Sequence, residues 1–140
     1  MSYLDEQDKR IAEILSSEEP LKVDDKTLAK YLVYLKKNLR LPCHLTGIDD
    51  FEWEEYYVIG PGSKKEYERL RKKRPSYMDT FELIRFDDQG DKDYGIYVEV
   101  TRVSDNKKFD LPLADLKATD RKSKNYRLLD DFSVWFVNYR

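Results

Sequence analysis

Apolar positions recur at helical spacing early in the chain and at strand spacing later. Over residues 3–16, Leu4, Ile11, Ile14 and Leu15 stand among charges, which predicts a short amphipathic helix. Ser16-Ser17-Glu18-Glu19-Pro20 interrupts it. Leu28, Tyr31, Leu32, Leu35 and Leu39 then share one helical face. Asp24 or Asp25 can cap the free amides at its start, and Pro42 ends it. Lys36, Lys37 and Arg40 lie near its C-terminal pole, which favours cations. Beyond Pro42 the period shortens. Tyr56-Tyr57-Val58-Ile59 reads as a short strand stopped by Gly60-Pro61-Gly62. Ser63 can cap a helix running from Lys64 to Arg74, ended by Pro75. Thr80 to Phe86 reads as a strand, and Asp87 to Asp93 as a polar turn. From Gly95 to Val103, Ile96, Val98 and Val100 alternate against Tyr97, Glu99 and Thr101, a clear strand pattern. Phe109, Leu111 and Leu113 alternate again, with Pro112 favouring an edge strand. The β-branched and aromatic run Ser133 to Tyr139 reads as the last strand. The expected fold class is α+β. Two N-terminal helices precede a small curled antiparallel sheet of about five strands with one interposed helix, curled enough to approach a barrel. Residues 1–20 read as an N-terminal helical extension, and residues 21–140 as a single domain.

The chain has 140 residues, enough for one domain with one ordinary core. Charged residues at 39% would suit a disordered chain, but 11 Tyr, 6 Phe and 2 Trp would not. The 26 basic and 28 acidic residues nearly cancel, so the net charge of −2 points to no dedicated polyanion or polycation partner. A single Cys excludes an internal disulfide, and with a single His it excludes a zinc site of thiolates and imidazoles. The start, MSYLDEQDKR, has no apolar signal core, and no stretch approaches the roughly 18 apolar residues of a membrane span. A cytoplasmic monomer with no membrane partner is expected.

The segment Thr46-Gly47-Ile48-Asp49-Asp50-Phe51-Glu52-Trp53-Glu54-Glu55 carries five carboxylates and no basic residue. Ile48, Phe51 and Trp53 between them imply a loop pinned to the core. Crowded carboxylates that cannot spread apart repel one another, and a hard divalent cation removes the repulsion. Asp49, Asp50, Glu52, Glu54 and Glu55 are therefore candidate metal ligands. A solvated acidic face, or pairing with the basic helix, is the competing explanation. Asp130 and Asp131 could add oxygens from a distance. The second acidic group, Asp87, Asp88, Asp91 and Asp93, fails the EF-hand template. Counting from Asp87, Lys92 falls where Gly is required and Val98 where Glu is required. From Asp91 those places hold Ile96 and Arg102. The basic run Lys64, Lys65, Arg69, Arg71, Lys72, Lys73 and Arg74 could dock on a protein or hold phosphate backbone. With a negative net charge, nucleic acid is the less expected partner. Adjacent Cys43 and His44 seldom converge as a catalytic pair, and no phosphate loop, nucleophile elbow or HExxH is present, so no enzyme is expected.

One resemblance joins these pieces. Leu41-Pro42, Leu45-Thr46-Gly47, Asp50-Phe51 and Trp53-Glu54-Glu55-Tyr56-Tyr57 occur in order. Gly60-Pro61-Gly62-Ser63, Lys65-Glu66-Tyr67 and Arg74-Pro75-Ser76-Tyr77 follow. Leu113-Ala114-Asp115-Leu116 and Trp135-Phe136-Val137-Asn138-Tyr139-Arg140 close the set. Over residues 41–140 the chain resembles the CcbP-type family of small calcium-binding proteins. That resemblance implies a compact α+β domain binding Ca2+ through acidic side chains without EF-hands, as a buffer or sensor. Asp50, Glu54 and Glu55 best match the shared acidic motif. Asp49 and Glu52 are included on chemical grounds alone.

Overall fold

A computed structural model describes residues 4–91 and 93–140, so Lys92 in the expected polar turn lies outside the described residues. The chain runs α1 (Glu6–Ile14), α2 (Asp25–Asn38), β1 (His44–Gly47), a 3₁₀ turn (Glu52–Glu54), α3 (Glu55–Val58) and α4 (Lys64–Arg71). It continues through β2 (Phe81–Asp91), β3 (Gly95–Arg102), β4 (Lys108–Pro112), a second 3₁₀ turn (Leu113–Asp115), β5 (Leu116–Ala118) and α5 (Lys124–Asn138). The five strands form one antiparallel sheet in the order β4-β3-β2-β1-β5. The class is α+β, as expected, and the sheet is open and not a barrel.

The capped helices form where the sequence placed them. Asp24 accepts a hydrogen bond from Thr27 N while the Thr27 hydroxyl meets Asp24 N, a reciprocal cap. Ser63 accepts from Glu66 N at the start of α4. Helix α4 ends at Arg71, three residues short of the expected end. Strand β2 runs on through the expected turn to Asp91, because Asp91 Oδ1 accepts from both Asp93 N and Tyr94 N and closes a tighter turn.

Two expected strands are helices. Ser133–Asn138 lies in α5, with Tyr139 as its C-cap, and within the helix Leu128, Leu129, Phe132, Trp135 and Phe136 are buried at i, i+1, i+4, i+7 and i+8. That stripe, begun by the Ser123 cap, overrides the strand preference of its β-branched members. Residues 56–59 also coil, into α3 and its C-cap, because only Tyr57 is drawn inward there while Tyr56, Val58 and Ile59 stay exposed. The missing strands come from β1 and β5, too short to show a period. The core lies between the sheet and helices α1, α2 and α5. Tyr31 of α2 stacks on Trp135 of α5 at 4.8 Å, and Leu45, Phe81, Val98 and Val100 are wholly buried beneath them. Helix α1, from the segment read as an extension, buries Ile11 and Leu15 in the same core.

Candidate metal centre

The acidic segment begins on β1 and leaves the sheet at Gly47. A Cβ there would lie 2.5 Å from Tyr77 Cβ and 2.6 Å from Tyr77 Cα, so only glycine permits this approach. Gly47 N donates to Tyr77 O, and the Thr46 hydroxyl donates to Tyr77 O and Asp79 O. Residues 46–55 are thus stitched to the 75–79 turn. Trp53 adds an indole N–H bond of 2.7 Å to Pro75 O.

Glu54 lies beneath the loop with no exposed surface. Its Oε1 accepts from Phe51 N and Tyr77 N, at 3.2 and 2.8 Å. Its Oε2 accepts from Tyr67 OH and Ser76 Oγ, at 2.5 and 2.7 Å. Four donors from three stretches of the chain leave this carboxylate little capacity for an ion. Burial, followed by the hydrogen bond to Glu54, pushes the Tyr67 hydroxyl up to about 12.

The other loop carboxylates differ. Asp50 is half-buried, while Asp49, Glu52 and Glu55 are exposed. Among the described residues, none of these four side chains carries an ion pair or a side-chain hydrogen bond. The basic helix does not neutralise them. Arg74 lies over the Trp53 ring at 5.5 Å, and Arg71 turns to Asp79 at 3.8 Å. Arg102, 3% exposed at its side chain, holds the end of α4 instead. Its guanidinium donates to the carbonyls of Arg71, Lys72 and Arg74 and to Asp79 and Asp105.

Opposite the loop stands Asp115, on the 3₁₀ turn after β4. Ile48 N donates to its carbonyl, and Ser133 Oγ ties the neighbouring Ala114 carbonyl to α5. Glu52 and Asp115 share a groove of about 580 Å³, walled by Trp53, Pro75, Tyr97 and Leu111. The Asp115 residue reaches solvent, yet the groove desolvates its carboxyl. That burial first, and the charge of Glu52 second, raise its pKa above the ordinary carboxylate range. Tyr97 feels the same pair, its hydroxyl raised by burial and by neighbours that include Asp115 and Glu52. Asp115 was not a sequence candidate. Its only local signal is a lone acid inside the apolar run Leu113-Ala114-Asp115-Leu116.

The remaining acids lie elsewhere. Asp131, 1% exposed, receives Arg10 Nε at 2.8 Å and Nη2 at 2.9 Å, and Gln7 bridges it to Asp130. These two residues fasten α1 to α5. Asp87 is raised by burial and by Asp110, while Lys36 pairs with Asp88 at 3.3 Å. Among the described residues, no three His, Cys, Asp or Glu side chains stand close enough together to hold a metal ion by themselves. The chemistry of the loop nonetheless suits a hard cation. Glu52 and Asp115 line one groove with Trp53, Tyr97 and Leu111, and a calcium ion, which takes 6–8 oxygens, could draw the others from backbone carbonyls and water.

The calcium-binding family model Calci_bind_CcbP matches residues 22–136. No curated protein matches the chain. The crystal structure of Anabaena CcbP superposes with a TM-score of 0.58 at 17% identity, covering 99% of this chain and 97% of that one. A calcium-binding protein in its calcium-binding form gives a TM-score of 0.57 at 18% identity, covering 100% and 99%. Both share the fold of this chain.

Proposed function

Because the chain belongs to the CcbP calcium-binding family, we propose that it binds Ca2+ at the face where the 48–55 loop meets Asp115. It acts there as a non-enzymatic, cytoplasmic, monomeric calcium buffer or sensor. The observation that carries the site is geometric: Glu52 and Asp115 line one groove, and among the described residues Asp49, Asp50, Glu52 and Glu55 carry no ion pair. Like-charged carboxylates that share one groove repel one another. A divalent ion converts that repulsion into attraction. Glu52 and Asp115 supply the anchoring carboxylate oxygens, backbone carbonyls and water complete the shell, and Asp49, Asp50 and Glu55 add negative charge along the loop without closing on the same point. Glu54 acts from below as the anchor of the loop backbone. Asp130 and Asp131 remain structural. An irregular, partly solvated set of this kind belongs in the range of about 10⁻⁶ to 10⁻³ M.

Calcium titration calorimetry tests the proposal, with magnesium as the control. Wild type is expected to give saturable heats with calcium, and Glu52→Gln with Asp115→Asn to abolish them while the domain still melts cooperatively. Heats absent from wild type, or unchanged in the double variant, refute this site. In thermal melts, calcium at about a hundred times its dissociation constant adds roughly 2.7 kcal/mol over chelator.

A further inference from the structure

We propose that the α3–α4 tip and the outer stripe of α4 dock on an anionic phospholipid bilayer. The proposal stands apart from the calcium reading and departs from the expectation of no membrane partner, because exposure at the tip is not legible in composition.

Ile59 is 78% exposed, more than any other large apolar side chain among the described residues. Tyr56 at 57% and Val58 at 43% stand beside it in sequence. Isolated exposed apolar residues are ordinary, but three within four positions on one turn are not. The turn is held firmly. Ile59 N and Gly60 N both donate to Glu55 O, and Gly62 N donates to Tyr56 O. A Cβ on Gly62 would run into the Tyr57 ring. Tyr57 in turn stacks on Tyr67 of α4 at 5.6 Å. The apolar residues therefore sit exposed on a braced turn.

Cations begin immediately after it. Residues 55–74 carry seven Lys and Arg against three Glu. Arg71 pairs with Asp79, and Arg74, itself exposed, lies over the Trp53 ring. Lys64, Lys65, Arg69, Lys72 and Lys73 remain exposed, and among the described residues only Arg69 has a carboxylate partner, Glu66 at 3.8 Å. Lys65, Arg69 and Lys72 form one stripe, which at 1.5 Å per residue runs about 10 Å along α4 from the tip.

An exposed apolar turn flanked by ammonium groups fits a bilayer interface. Ile59 and Val58 enter below the headgroups, Tyr56 lies at their level, and the lysines meet lipid phosphates and carboxylates. A nucleic acid would use the cations but give Ile59 nothing. A protein would have to offer a concave apolar socket rimmed with acids.

The test is co-sedimentation of the full chain with vesicles of phosphatidylcholine alone or with one-third phosphatidylserine, in chelator, at low and physiological salt. The chain is expected to sediment with the phosphatidylserine vesicles only, and less at the higher salt. Ile59→Asp, and Lys64→Glu with Lys65→Glu, are each expected to weaken partitioning by about tenfold or more. Their melting curves should match wild type, because all three side chains are exposed. The proposal is overturned if phosphatidylserine vesicles bring down no protein at low salt, or if Ile59→Asp sediments as wild type does. Tighter binding to duplex DNA than to the vesicles, insensitive to Ile59→Asp, overturns it in favour of a nucleic-acid surface.

Discussion

Removing the Glu54 side chain should damage the fold more than the loss of any exposed loop acid. In Glu54→Ala four donors lose their acceptor: the amides of Phe51 and Tyr77 and the hydroxyls of Tyr67 and Ser76. A buried donor left unpaired costs about 1–3 kcal/mol. Water entering the vacated space can satisfy some of the four, so a net loss of about 3–5 kcal/mol is expected. Glu54→Gln should be far milder. The amide oxygen can face the two backbone N–H groups, which only donate, while the amide nitrogen faces the two hydroxyls, which can turn and accept. What remains lost is the charge assistance, about 1–2 kcal/mol. Urea unfolding followed by the fluorescence of Trp53 and Trp135 measures both variants. A phenolate titration adds an independent readout, since Tyr67 should ionise below its present value of about 12 once the carboxylate is gone. Glu52→Gln supplies the contrast. It relieves a like charge near Asp115, so the calcium-free protein should be at least as stable as wild type while its calcium response falls. The reasoning fails if Glu54→Ala unfolds within about 1 kcal/mol of wild type. It fails equally if Glu54→Gln loses calcium binding at unchanged stability, which would make Glu54 a ligand.

Arg102→Met should free the end of α4 and leave Asp79 without its buried partner, at a cost of about 3–5 kcal/mol. Urea unfolding gives the magnitude, and faster hydrogen exchange across α4 than across β3 would locate it. Arg102, first by its hydrogen bond, lowers Asp105 to about 2, below its ordinary 3.8. A depressed carboxylate stabilises the fold above its unfolded pKa, and that stability disappears as pH falls from 3.8 through about 2. Asp105→Asn should therefore flatten the melting temperature against pH across this window, and an unchanged slope would contradict the assignment. Burial raises the Cys43 thiol to about 11 at 1% exposure. It should resist a thiol reagent at pH 8 in the native protein and react at once in denaturant, and rapid native labelling would show that the site opens.

Long, one-sided patterns were readable because each is decided by a single face. The α2 stripe from Leu28 through Leu35 and the β3 alternation from Ile96 through Val100 both came through. Residues 133–139 misled because Val134, Trp135, Phe136 and Val137 favour strands locally, while the buried positions Leu128 and Phe132 that set the helical period lie upstream. Strands β1 and β5, of four and three residues, exist because β2 and β1 offer them free edges, a tertiary cause without a local pattern. The acidic loop was legible as crowded charge pinned by Phe51 and Trp53. The division of labour within it was not. Glu54 differs from Glu52 only through Ser76, Tyr77 and Tyr67, some 13 to 23 residues away, and Asp115 enters from beyond β4.

The near-cancellation of charge in this chain hides a separation in space. An acidic loop beside a seven-cation segment should collapse into ion pairs, and the described structure shows none between them. Buried bonds explain why. Arg102 grips α4 through main-chain carbonyls, and Glu54 grips the loop through amides and hydroxyls. Neither attachment consumes a charge from the exposed sets. Trp53 stands between, one face under Arg74 and one edge on the groove of Glu52 and Asp115. Because each set is fixed by contacts of its own, charge on one side can change without unfolding the other. Neutralising Glu52 and Asp115 should therefore leave the salt dependence of vesicle binding nearly unchanged. Replacing Lys64 and Lys65 should likewise leave calcium heats intact, since among the described residues neither lysine pairs with an acid of the loop and salt screens unpaired exposed charges. A strong effect of either pair on the other function would mean that the two surfaces act as one.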